Sequence, residues 1–132
     1  MSSSALYFMH SLGSALIYSA YMKHFTAMYM MPVQGLDDWM AKPEEERKAA
    51  ETQMKKDWDK WVADNSSSIL NTISVGKPKK ISASGIEDSR NSIMMSSYVQ
   101  AEDLDAAAGL FKNHPHLQIP GATIEVMEST PV

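Results

Sequence analysis

Four side chains able to hold or move a proton stand in or beside apolar runs of the chain: His24, Tyr29, Tyr98 and His114. An imidazole exchanges its proton near neutral pH, and a phenol can hydrogen-bond a carbonyl or another phenol. Gathered in one cleft, they would suit cofactor-free acid/base chemistry on a small compound. His24, His114 and Tyr98 are then the catalytic candidates, and Tyr29, Tyr98 and His114 the ligand contacts. Each also has a plainer role. His24 lies at the start of a strand, where a histidine needs only a local hydrogen bond. His114 and His116 flank Pro115 where a helix must end, and an imidazole there complements free carbonyls. The His-Pro-His pair supplies two metal ligands at most, and Glu125 or Asp103 would have to converge to complete a site. No metal or cofactor is therefore expected. Glu44 to Glu46 are acids at a helix start, and Asp37 and Asp38 belong to a solvated loop. The sequence holds no Ser-His-Asp order, phosphate-cradling glycine loop or dinucleotide fingerprint.

The elements that must position these groups follow from periodicity. Lys23 to Met31 alternates His24, Thr26, Met28 and Met30 against Phe25, Ala27, Tyr29 and Met31, which predicts a strand covered on both faces. Pro32 to Lys42 reads as a loop. A helix begins at Pro43 and runs to about Asp64, with Ala50, Met54, Trp58, Trp61 and Val62 on one side and a charged face opposite. Its two tryptophans are expected in the core. Ile69 to Val75 is a second strand, Gly76 to Pro78 a turn, and Lys79 to Ser84 a short extended piece. Gly85 to Asn91 reads as a polar, mobile turn. Ser92 to Val99 is a strand free of Gly and Pro. Leu104, Ala107, Ala108 and Phe111 at i, i+3, i+4 and i+7 predict a helix that Pro115 stops near Asn113. Ala122 to Met127 is the last strand.

The bulk composition narrows the classes. A chain of 132 residues that is 44% apolar is expected to form one domain with one real core. A net charge of −4 with scattered cations gives no footprint for nucleic acid. With no cysteine there is no disulfide framework and no thiolate site, which suits a reducing, cytoplasmic compartment. Residues 1–21 carry no Asp, Glu, Lys or Arg and differ in kind from the rest. They lack the positive start of a secretory signal, and serines with Gly13 interrupt any membrane span. They are expected to form a leader ahead of a domain at 22–132, and no membrane partner is expected.

Strand, helix, strand, strand, helix, strand is the split βαβ order of a ferredoxin-like α+β domain, an antiparallel sheet with both helices on one face. The other face keeps Met, Ile, Val and Tyr, so it is expected to pair sheet on sheet in a symmetric homodimer. At this point the stretch SSYVQAEDLDAAAGLFKNHPHLQIPGATIEVME resembles the end of the YCII-related (YciI-like) family. The resemblance covers about residues 22–128. It rests on Tyr98 before the acidic cap, on Leu104, Asp105, Ala107 and Ala108, on His114 to Leu117, and on Gly121 followed by Ile124, Glu125 and Val126. The tryptophan pair and the Gly76 to Pro78 turn extend it. The resemblance implies a dimeric α/β barrel with a cleft between the sheet and its surrounding loops, in a family where most members have no assigned reaction and a few relatives act on small aromatic compounds. It also implies, in one branch, a catalytic His-Asp pair. This chain departs from that branch, with no histidine between Pro43 and Asp64 and with Ser74 and Val75 before Gly76. Two readings stand: a homodimer that binds a small molecule, with acid/base turnover open to it, and a non-catalytic interaction module.

Overall fold

The computed structural model describes residues 22–132, so the leader expected at 1–21 lies outside the described residues. The fold is α+β. Strands β1 (Lys23–Met30), β2 (Ile69–Ser74), β5 (Ile93–Ala101) and β6 (Thr123–Glu128) form one antiparallel sheet in the order β2-β5-β1-β6. This arrangement is compatible with a ferredoxin-like fold. Helices α1 (Val33–Met40), α2 (Glu44–Asp64) and α3 (Leu104–Leu110) and a 3-10 turn (Pro115–Gln118) connect the strands. Among the described residues no helix is long and apolar enough to cross a membrane.

The alternation in β1 divides the sheet into two unlike faces. Phe25, Ala27 and Tyr29 are fully buried, and they join Val99 and Ala101 of β5, Trp61 of α2, and Ala107 and Phe111 of α3 in one core. His24, Thr26, Met28 and Met30 point the other way and are half-buried. Of the two expected covers, α2 and α3 supply the one on this core face, and the other face is the one expected to meet a partner. Cross-strand partners carry the division outward: Thr26 lies opposite Tyr98 and Met127, and Ile73 opposite Ser96. Tyr98, Ile73 and Met127 are all exposed on the open face.

Both helix boundaries expected from the sequence are close to those found. Asp103 caps α3 by accepting the N–H of Ala106 at 2.8 Å, which satisfies one of the unpaired donors of the first turn. α2 starts after Pro43 and ends at Asp64, but its expected apolar face is only partly used. Trp61 is buried and Met54 and Trp58 are half-buried, while Ala50 and Val62 are exposed. A helix of 21 residues runs about 32 Å, so only part of its length can meet a core this small.

Two elements differ from expectation. The segment after Pro32 is a helix, because Pro32 stands just outside it with ψ 141°, where a proline sacrifices no internal bond. Gly85 to Asp88 is strand β4, paired with β3 (Lys79–Ser82) as a separate hairpin in which Ile81 faces Ile86. Gly85, at φ 137°, takes a conformation that side-chain-bearing residues rarely adopt, and so closes the tight turn.

Candidate ligand-binding cleft

The four sequence-derived candidates fall into two separate groups. Tyr29 and His114 meet on the covered face, their ring centroids 5.0 Å apart. His24 and Tyr98 meet on the open face, 5.2 Å apart. The sheet lies between the two pairs, so they do not share one cleft.

The covered pair is packed solid. His114 is surrounded by Trp58 at 4.3 Å, Trp61 at 4.4 Å and Phe111 at 6.0 Å between ring centroids. Its Nδ1 accepts the backbone N–H of His116, and burial, with His116 adding to it, pushes its pKa down to about 4. His116 is also buried and donates from Nε2 to the Met30 carbonyl, at 2.9 Å. The Tyr29 hydroxyl bonds Ser97 Oγ at 2.8 Å, and Ser97 bonds Thr72 Oγ1 at 2.8 Å. Burial raises the Tyr29 phenol to about 12. A neutral imidazole and a neutral phenol held by internal partners join β1, the 3-10 turn, α2 and α3 in the core.

Metal binding by the His-Pro-His run would need a third ligand. Asp103 is occupied as a helix cap, and Glu125 lies on the exposed side of β6. Among the described residues no three His, Cys, Asp or Glu side chains converge as metal ligands.

A concave feature that is mostly apolar lies elsewhere, beneath α1. Tyr29 pairs with Met95 and Met30 with Ile93, so Met94 is the extra residue of a β-bulge. Bulges re-aim side chains. Here Met94 joins Met31 and Leu36 as the shared wall of two neighbouring cavities, about 340 Å³ and about 250 Å³ in volume. Val33, Val75, Pro78 and Ile93 complete the apolar lining of the larger, and Lys77, Arg90 and Asn91 its polar part. Trp39, Met40, Met54, Ile119 and Glu51 complete the smaller. None of His24, Tyr29, Tyr98 or His114 lines either cavity.

α1 roofs this cleft without burying any of its own residues. Val33, Leu36 and Trp39 are half-buried on its inner side, and an ion pair adds a polar tie. Arg90 reaches Asp37 with both terminal nitrogens, Nη2 to Oδ1 at 2.8 Å and Nη1 to Oδ2 at 3.4 Å, and this pair holds the Asp37 carboxyl below its ordinary pKa. The sequence carried a signal for the roof in Val33, Leu36 and Met40, spaced i, i+3 and i+7, but Pro32 and Gly35 masked it. No family model matches the chain, and no curated protein matches it in sequence.

Proposed function

We propose that the chain is a YCII-related, ferredoxin-like protein that forms a homodimer through its open sheet face and binds a small, largely apolar molecule, aromatic ones included, beneath α1. The observation that carries the binding reading is the meeting of Met31, Leu36 and Met94 between two cavities. Their combined size suits a small molecule, and flexible methionines adapt to a planar or branched guest. The sheet order β2-β5-β1-β6, with α2 and α3 on one face, supports the ferredoxin-like reading and the dimeric α/β barrel built on it. Lack of cysteine suits a cytoplasmic setting. The reading assigns binding rather than proton transfer to the cleft, because its walls carry neither imidazole nor phenol.

A direct test uses protein labelled with ¹³C at the methionine methyls, titrated with small aromatic compounds. Shifts confined to Met31, Met40, Met54 and Met94 are expected. Shifts confined to Met28 and Met127 would move the binding site to the open sheet face. Light scattering at micromolar concentration is expected to give twice the mass of one chain, and a single-chain mass would refute the dimer.

The second reading, a non-catalytic interaction module, is favoured by one observation: Ile73, Tyr98 and Met127 expose a continuous mixed surface beside half-buried Met28 and Met30. It predicts the dimer without any guest beneath α1.

A further inference from the structure

The charges around the larger cavity are one-sided. Its lining holds two cations, Lys77 and Arg90, and no acid. Arg90 is already neutralised by Asp37. Lys77 enters no ion pair among the described residues. It precedes Pro78, which restricts its backbone to extended conformations and so fixes where its stem leaves the chain. Asn91 supplies a second donor. Its Oδ1 accepts the N–H of Ile93 at 3.0 Å, which assigns the amide orientation and leaves the NH₂ group for another partner. The polar side of the cavity therefore presents donors and one uncompensated positive charge, while the rest of the wall is apolar.

We infer that the guest of this cleft is an amphipathic monoanion, an aryl or short branched carboxylate whose acid group meets Lys77 and Asn91 while its apolar body lies against Met31, Leu36 and Met94. The inference rests on the binding reading above and adds the charge and orientation of the ligand. A dianion is disfavoured, because the second cation is already spent on Asp37. A cationic guest would meet Lys77 with no acid in the lining of the larger cavity to offset it, Glu51 belonging to the smaller one.

The test compares two probes of one shape, naphthalene-2-carboxylate and its uncharged amide, in titrations of the full-length protein followed at the methionine methyls. The carboxylate is expected to bind about fivefold more tightly than the amide, the range of one partly exposed ion pair. Lys77→Gln is expected to remove that preference, bringing the carboxylate down to the affinity of the amide. Equal affinity for the two probes, or a preference that survives Lys77→Gln, would overturn the charge assignment and leave the cleft standing. If neither probe shifts Met31 and Met94, the cleft reading fails as well. The methyl spectrum of each variant reports separately that it has folded.

Discussion

Nδ1 of His114 accepts the backbone N–H of His116 at 3.0 Å, and this bond fixes the tautomer of an imidazole that is 1% exposed. The remaining proton must then sit on Nε2, which has no polar partner among the described residues. The rings of Trp58 and Trp61 stand edge to face around it, and an aromatic face is a weak acceptor. His114 is thus a core residue with one strong bond, built to stay neutral.

That neutrality gives a pH dependence with a definite sign. The folded pKa of His114 is about 4 against an ordinary value of 6.5. Above pH 6.5 both folded and unfolded chains hold it neutral, and stability is complete. As pH falls from 6.5 towards 4, the unfolded chain takes up a proton that the folded one refuses, so stability is lost across that window. The loss is on the order of 3 kcal/mol. Urea midpoints measured at pH 7 and pH 5 will show about 2 kcal/mol of it, and His114→Phe is expected to flatten the difference between them.

Tyr29 governs the alkaline side. Its phenol titrates at about 12 rather than 10, so the unfolded chain ionises first and stability falls from about pH 10 upward. Absorbance titration at the phenolate band should show one late-ionising tyrosine that disappears in Tyr29→Phe. That substitution leaves Ser97 bonded to Thr72 and is expected to cost about 1 kcal/mol.

Asp103→Ala removes the acceptor for the Ala106 N–H at the start of α3. The expected loss is about 1 kcal/mol in denaturant unfolding. Asp103→Asn, which can accept the same bond, should recover most of it.

Arg90→Gln breaks the bridge to Asp37. Both groups are exposed, so global stability is expected to stay nearly unchanged. The effect should be local: hydrogen exchange of the α1 amides is expected to rise several-fold while exchange in β1 and β5 is unaffected. Equal acceleration in sheet and helix would mean that α1 is bound to the core by more than this pair.

The sheet strands were legible because their side chains alternate or form short apolar runs, and the core role of Trp58 and Trp61 followed from their helical spacing. The roof helix was not, since Pro32 and Gly35 read as breakers when scored by residue type alone. Pro32 is harmless there because it precedes the first helical turn. Of the β3–β4 hairpin only β3 was legible, as an extended piece; β4 was hidden by its polarity, since Ile81 and Ile86 are 76% and 71% exposed, and a strand that buries nothing has no burial pattern to read. The split of the candidate site was available but missed. His24 and Tyr29 are five residues apart in one strand, an odd spacing, and side chains an odd number apart point to opposite faces. The cleft itself depends on the bulge at Met94, a change of register between β1 and β5, and no local sequence pattern announces that.

The parity of β1 also separates what can vary from what cannot. Phe25, Ala27 and Tyr29 answer to the core, and replacing any of them disturbs helices as well as strand. His24, Thr26 and Met28 answer to the open face, to neighbours on it such as Tyr98 and Ser129 and to whatever meets it. A lineage can therefore rewrite every second residue of its central strand, and with it the choice of partner, while inheriting the same folded body.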